Sequence, residues 1–451
     1  MATSNTERVL NGIIPRCANL TKTERTRDVF VVDGCRTPFL KAMGTTGPLS
    51  GADLAVIAGR SLLLRQPITE QMLDEVILGC VLPAPEEANI ARTVALRLGC
   101  PWETPAWTVQ RNCASGLQAV DTAVRTIQTG EAHLILAGGV EAMSRAPLLW
   151  RSELVNWLAA WKQSRRRLDK WQLLRRLRPS LLRPVIALLK GLTDPTTGLS
   201  MGQTAEVTAH RFGILREEMD HYAMQSHLRL AKAWQADHFK EEVVESFTPD
   251  GSLFTEDQGL RRNITLEGLA KLAPVFDRFD GALTAGNSAQ ITDGACLLLL
   301  ASAEAVKTHR LTVLGRVSPA QWVGLDPLHM GLGPVHAIQK LLQNHNLSME
   351  NIDYWEINEA FAAQVLSCCA ALADPTYCQT ELHLSEPLGV LPMTHLNIDG
   401  GAISVGHPVG ASGARILLRL LHILKRKQAH QGIAALCIGG GQGGAMLAQS
   451  A

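Results

Sequence analysis

Short apolar runs, each stopped by glycine or polar residues and followed by an amphipathic stretch, constrain this chain more than any other feature. Residues 29–32 read as a short buried strand and residues 54–64 as an amphipathic helix. Residues 74–82 contain a second strand and residues 133–137 are a third. This βαβ rhythm argues for parallel sheets with helices on their faces. The end of the chain echoes its beginning. Leu134-Ile135-Leu136-Ala137-Gly138-Gly139-Val140 resembles Ala435-Leu436-Cys437-Ile438-Gly439-Gly440-Gly441. In both, an apolar strand runs into glycines, where the backbone must approach something closely. Two similar α/β halves are the expectation.

At 451 residues the chain can bury a large core, and two or three domains are expected. A net charge of +1 exerts no global pull on nucleic acid. Ten cysteines without a CxxC pair argue against a disulfide scaffold, a zinc ribbon or a thioredoxin-like site. No apolar run reaches the length of a membrane span. Residues 1–27 read as an N-terminal arm, with a weak likeness to a transit peptide.

One segment breaks the pattern. Between 150 and 190 cations crowd together, Arg165-Arg166-Arg167 and Arg175-Arg176 among them, against only Glu153 and Asp169. Trp150, Trp157, Trp161 and Trp171 fall here too, and apolar residues recur at spacings of three and four. This predicts a basic amphipathic helical hairpin, with Pro179 and Pro184 marking a break. Such a hairpin either packs its apolar face on its own domain or docks to an anionic membrane surface or a partner subunit. No nucleic-acid module accompanies the charge. With the charged helical region 201–280, the hairpin belongs to a lid-like insertion over 145–292. The first half then covers 28–144 and 293–311, and the second covers 312–451.

Asn112-Cys113-Ala114-Ser115-Gly116-Leu117 stands at a strand-to-helix junction. There, open helix N–H groups and the positive dipole end lower a thiol pKa, and small neighbours leave room for a substrate. The plain alternative is an inert core cysteine. Three further stretches argue for chemistry. Asn358 lies in Glu356-Ile357-Asn358-Glu359-Ala360-Phe361, where its plain alternative is to cap the Ala-rich helix that follows. His407 lies in a loop lined by Gly400, Gly401, Gly406, Gly410 and Gly413, open to a substrate. Cys437 ends an apolar strand before Gly439, Gly440 and Gly441, whose N–H groups can face an oxyanion. Two cysteines, a histidine and an asparagine so placed fit acyl transfer to one thiol with proton transfer by another.

Taken in order, these stretches resemble the thiolase family of acyl-CoA C-acyltransferases. Arg36-Thr37-Pro38, Cys113-Ala114-Ser115-Gly116, Gly138-Gly139-Val140-Glu141-Ala142-Met143-Ser144, Met201-Gly202, Asn358-Glu359-Ala360-Phe361, Gly406-His407-Pro408 and Cys437-Ile438-Gly439-Gly440-Gly441 carry the likeness. It runs from about Asp28 to the C-terminus. The resemblance implies two βαβαβαββ halves stacked as a five-layered α-β-α-β-α core with an inserted lid. It implies that Cys113 carries the acyl group and His407 takes its proton. Asn358 positions a water that joins His407 in one oxyanion hole, and Cys437 is the acid/base at the α-carbon. The backbone N–H groups of Cys113 and Gly439 form a second hole.

The same likeness places Met201, Arg261, Ser288 and Phe361 at the substrate, 3-ketoacyl-CoA with CoA. No metal or cofactor is implied, since coenzyme A is itself a substrate. It implies a homodimer or a dimer of dimers. The basic insertion resembles that of thiolase subunits in trifunctional-type β-oxidation complexes. Those pair with a hydratase/dehydrogenase subunit and meet membranes, and many have His-Glu where this chain has Asn358-Glu359. The expected reaction is thiolytic cleavage, ahead of acetoacetyl-CoA synthesis, in the cytoplasm ahead of the mitochondrial matrix. A ketosynthase-type enzyme is disfavoured by Cys437 and Asn358. A catalytically silent docking subunit is disfavoured by the intact set of four residues.

Overall fold

The computed structural model describes residues 27–451; the N-terminal arm, apart from Arg27, lies outside the described residues. The first half sets its strands in the order Val29–Arg36, Thr292–Ser302, Leu134–Ala142, Glu75–Gly79, Ala106–Val109. The last three are parallel to one another, but Thr292–Ser302 runs antiparallel to both its neighbours. The second half repeats this plan. Tyr354–Ile357 is parallel to Gln431–Ile438, which is antiparallel to Gln442–Ser450, and that strand pairs antiparallel with Gly315–Val317. Phe30 opposite Arg316 and Val31 opposite Gly315 join the halves edge to edge.

The sheets are therefore mixed rather than parallel, and the connections explain it. A short glycine turn joins Gln431–Ile438 to Gln442–Ser450, and so tight a link can join only antiparallel strands. In the first half the lid insertion occupies the corresponding link. The repeat extends to single hydrogen bonds. Asp74 Oδ2 accepts from the N–H groups of His133 and Leu134, and Asp353 Oδ2 accepts from those of His430 and Gln431. Leu134 is thus the counterpart of Gln431. The glycines that suggested the echo are not counterparts: Gly138 and Gly139 lie inside a strand, whereas Gly439 and Gly440 lie in the turn after one.

Alternation along the strands separates three cores. In Thr292–Ser302, Cys296, Leu298 and Leu300 face a central core, while Ala295, Leu297, Leu299 and Ala301 face an outer one shared with helices Gly51–Leu64 and Ile90–Leu98. In Gln431–Ile438, Ala434, Leu436 and Ile438 face the central core. Ile433, Ala435 and Cys437 face a third, covered by helices Gly333–His345 and Ala362–Ala373. Strands buried on both faces read as continuous apolar runs, as these do. The central layer holds helices Ser115–Thr129 and Val409–Lys427, giving the five-layered α-β-α-β-α arrangement. These two helices meet almost backbone to backbone. A Cβ on Gly116 would lie 2.7 Å from the Gly410 carbonyl oxygen, and one on Gly139 would overlap that same atom.

The lid is pinned to the body by the first motif of the chain. Arg36 is fully buried, and its guanidinium donates to Glu242 at 2.6 Å and to both oxygens of Asp257 at 2.7 and 2.9 Å. Both carboxylates come from the insertion. The predicted hairpin is present as helices Ser152–Gln163 and Arg167–Arg176. Trp157 stacks on Trp161 with centroids 5.4 Å apart and donates its indole N–H to Leu173 O at 2.8 Å. Leu154 is buried, but Leu158, Leu168, Trp171 and Leu174 are exposed. The hairpin therefore does not bury its apolar face on its own domain. No helix among the described residues is long and apolar enough to cross a membrane.

Candidate active site

Cys113 sits in the turn that feeds helix Ser115–Thr129. That helix starts at Ala114 without a side-chain cap, so its first N–H groups and positive dipole end stay near the thiol. Asn112, just before the cysteine, has φ +44°, a conformation that most side chains avoid. Hydrogen bonds hold this strained turn. Ser115 Oγ donates to Asn112 O at 2.7 Å and accepts from Arg111 N–H at 2.9 Å. Asn112 Nδ2 donates to Gly439 O at 2.8 Å, and Arg111 donates to Gln442 Oε1 at 2.9 Å. The loop bearing Cys113 is thus tied to the glycine turn of the other half.

The dipole does not lower the pKa of the Cys113 thiol as the sequence suggested. Burial pushes the thiol up and outweighs the N–H groups of Gly439 and Cys113 itself, which point at the sulfur and pull it down. Those two donors are the pair expected as an oxyanion hole. Cys113 is half-buried and lines a cavity of about 520 Å³ together with Val81, Leu82, Met143, Leu188, Val409, Met201 and Gly439. Cys437 is 1% exposed and does not line that cavity. Its sulfur nevertheless lies close enough to Cys113 that charge on Cys113 opposes its ionisation, after burial, and its pKa stands well above the ordinary range.

His407 precedes helix Val409–Lys427, which also starts without a side-chain cap of its own. Its Nδ1 lies 2.6 Å from Ser412 Oγ, and that hydroxyl is 3.0 Å from Pro408 O. One tautomer satisfies all three groups: Nδ1–H donates to Ser412, whose hydroxyl donates to Pro408 O. Nε2 is left as a lone pair, 3.5 Å from Asn358 Nδ2. Burial, aided by Arg415, lowers the imidazole pKa to about 4, so the ring is neutral near pH 7. Asn358 is buried and is not the cap of the helix that follows it, a position held by Phe361. Its Oδ1 makes no hydrogen bond among the described residues.

Of the four residues expected at the substrate, only Met201 reaches the cavity. Phe361 packs edge-on against Phe276, with centroids 5.6 Å apart. Ser288 bridges to Phe361 and leaves its buried hydroxyl unpaired. Arg261 stands in the lid, where its N–H donates to His227 Nδ1 at 3.1 Å. Sequence reasoning assigned no role to Glu141, which lies in the Gly138–Ser144 stretch, or to Ser412, which lies between Gly410 and Gly413. Fully buried Glu141 accepts from the N–H groups of Val81, Leu82 and Gly410, the last at the start of the His407 helix. Burial raises its pKa to about 7. An acidic residue inside an apolar strand was the available signal for Glu141. For Ser412 it was a hydroxyl one helical turn from the histidine. Cys80 is the other thiol nearby, and it is poorly suited to carry an acyl group. It donates to the Glu141 carboxylate at 3.6 Å, and burial beside that charge drives its pKa far up.

Residues 29–304 match the family model described as thiolase, N-terminal domain, and residues 311–450 match thiolase, C-terminal domain. The chain is 38% identical over 430 residues to a β-ketoadipyl-CoA thiolase of Acinetobacter baylyi, spanning 93% of this chain and 99% of that one. The crystal structure of human mitochondrial 3-ketoacyl-CoA thiolase superposes with a TM-score of 0.80 at 37% identity, covering 94% of this chain and 100% of that one. A Bacillus anthracis acetyl-CoA acetyltransferase superposes with a TM-score of 0.82 at 34% identity, covering 94% and 99%.

Proposed function

The chain belongs to the thiolase family and is an enzyme, an acyl-CoA C-acyltransferase, and on that premise we propose that it cleaves 3-ketoacyl-CoA thiolytically through a Cys113 acyl-enzyme. The observation that carries this reading is the half-buried Cys113 lining the cavity, with the Gly439 N–H aimed at its sulfur and Cys437 beside it. The relatives named for β-ketoadipyl-CoA and 3-ketoacyl-CoA support the degradative direction, while the acetyltransferase stands for the biosynthetic alternative.

Each group has a step to perform. Both resting partners are neutral, so Cys113 attacks the keto carbon as His407 Nε2 takes its proton. The bond between the α-carbon and that carbon breaks, leaving the acyl group on Cys113. The departing acetyl-CoA enolate is very basic and takes its proton from Cys437. Its thioester oxygen meets His407 together with a water held by Asn358, whose free Oδ1 suits that task. Cys437 then takes the proton of a CoA thiol, which attacks the Cys113 thioester. The tetrahedral oxygen formed there lies between the N–H groups of Cys113 and Gly439. Cys113 leaves as a thiolate and recovers its proton from His407. Met201 lines the cavity in which the acyl group would sit.

Intact-mass measurement after incubation with acetyl-CoA tests the roles. Cys113→Ala should show no acyl adduct, and Cys437→Ala should still acylate at Cys113. An adduct on any other residue defeats the assignment.

The reading extends to a homodimer or a dimer of dimers, and to a cytoplasmic setting, which the bacterial relatives favour over the mitochondrial matrix. The exposed Leu168 (76%) and Trp171 (67%), among a dense run of arginines, support docking of the hairpin to an anionic membrane. Co-sedimentation with phosphatidylglycerol vesicles should be lost in Leu168→Ser/Trp171→Ser. Indifference to vesicles, with capture of a hydratase/dehydrogenase subunit instead, would make the hairpin a protein-docking element.

A further inference from the structure

Glu359 follows Asn358 just past strand Tyr354–Ile357 and is buried. Its carboxylate gathers hydrogen bonds from two other parts of the chain. Oε1 accepts from the Tyr222 hydroxyl and from Asn397 Nδ2, each at 3.0 Å. Oε2 accepts from the Ser226 hydroxyl at 2.8 Å and from Ile403 N–H at 3.2 Å. None of these partners carries a charge, so the carboxylate is a hub of hydrogen bonds and not half of an ion pair. Tyr222 and Ser226 stand on helix Arg216–Gln235 of the lid. Asn397 and Ile403 belong to the glycine-rich segment that leads to His407. Two of its glycines let the parts close up. A Cβ on Gly401 would lie 2.2 Å from the Glu359 carboxyl carbon, and one on Gly400 would lie 2.8 Å from Ser226 O.

We propose that Glu359 is a positioning residue for the reaction: backed by Tyr222 and Ser226 of the lid helix, it holds the Asn358 strand end and the His407 segment at the spacing that proton removal from Cys113 requires. The proposal rests on the reading of His407 as the base and adds to it groups, none of them lining the cavity, that set the base in place. The spacing in question is the 3.5 Å between Asn358 Nδ2 and His407 Nε2. Asn358 is the neighbour of Glu359, and Ile403 precedes His407 by one turn of chain. The chemistry calls for a carboxylate. Asn397 Oδ1 accepts from Ile357 N–H and its Nδ2 donates to Ile357 O, both at 2.9 Å, so its amide has one orientation. Ile403 N–H is backbone and cannot turn. Each oxygen of Glu359 therefore faces an N–H that can only donate. A glutamine would present its own NH₂ to one of them, whichever way it turned, and the buried contact would become repulsive.

Single-turnover acylation of Cys113 by acetoacetyl-CoA, set beside alkylation of the same thiol by iodoacetamide, tests this. Alkylation needs the sulfur but no base, and the N–H groups at that sulfur belong to Cys113 and Gly439. Glu359→Gln should slow acylation about a hundredfold, the loss that a misplacement of about 1 Å brings. Alkylation should stay within about twofold, because it follows the thiolate alone. Tyr222→Phe removes one donor, keeps the others and should slow acylation about fivefold. Tyr222→Phe/Glu359→Gln should be no slower than Glu359→Gln, since both changes act through one group. Unchanged acylation in Glu359→Gln overturns the proposal. So does a parallel fall of acylation and alkylation, which is what a general loosening of the fold would produce. Should Glu359→Gln fail to fold, Tyr222→Phe decides: acylation slowed at an unchanged alkylation rate supports the proposal, and unchanged acylation overturns it. These failures leave the thiolase reading intact. Acylation unchanged in His407→Ala as well would remove the reading of the base beneath it.

Discussion

The two halves share one plan but contribute different chemistry. Each places a helix in the central layer, begun without a side-chain cap of its own, ahead of a strand that ends near the site. In the first half the helix starts after Cys113 and the strand carries Glu141. In the second the helix starts after His407 and the strand carries Cys437. Each helix start is tied to the other half. Asn112 reaches to Gly439 O, and Gly410 N–H donates to Glu141 at 3.1 Å. The nucleophile of one half is therefore held by the turn of the other, and the base of the second is held by a carboxylate of the first. Duplication supplied two equivalent helix ends, and the site depends on their having diverged.

The first way to break this comparison is to remove the second half's contribution. His407→Ala should slow acylation of Cys113 by about a thousandfold, the range expected for a positioned general base. Single-turnover acyl-enzyme formation from acetoacetyl-CoA measures it. An unchanged acylation rate would place the base elsewhere and end the division of labour between the halves. A smaller effect tests how the halves are pressed together. Gly139, Gly116 and Gly410 meet with no room for a Cβ, and the obstructing atoms are backbone, which cannot turn aside. Gly139→Ala should destabilise the protein by about 1–3 kcal/mol, read as a lower midpoint of thermal unfolding. An unaltered midpoint would mean that the central helices are not locked in register.

Much of this was legible in the residues. The apolar runs ending in glycine located the strands at 29, 75, 134 and 431 because strands buried on both faces have no alternation to hide them. Cys113, His407, Asn358 and Cys437 announced themselves because small residues surround reacting groups that must admit a substrate. The direction of Thr292–Ser302 was not legible, since strand orientation depends on what the intervening chain does. The equivalence of Leu134 with Gln431 was hidden because it is written in two aspartates beyond the strands, not in the glycines. The purpose of Arg36 was equally hidden, since Glu242 and Asp257 lie more than two hundred residues further along.

The thiol of Cys113 marks the limit of local reasoning and offers the finest test of the comparison. A helix start predicts a lowered pKa. Enclosure within the fold acts the other way and is the larger effect. In the second half, enclosure lowers the His407 imidazole to about 4. The acid is made weaker and the base is made weaker, so both shifts disfavour a resting thiolate–imidazolium pair. Between pH 6 and 8.5 the ring is already neutral, and the thiolate fraction grows tenfold for each unit of pH. Alkylation of Cys113 by iodoacetamide, followed by mass spectrometry, should therefore accelerate about tenfold per pH unit across that range without a plateau. A rate already level at pH 6 would show a preformed ion pair. In that case the dipole at the first helix start, not burial between the halves, would govern the nucleophile.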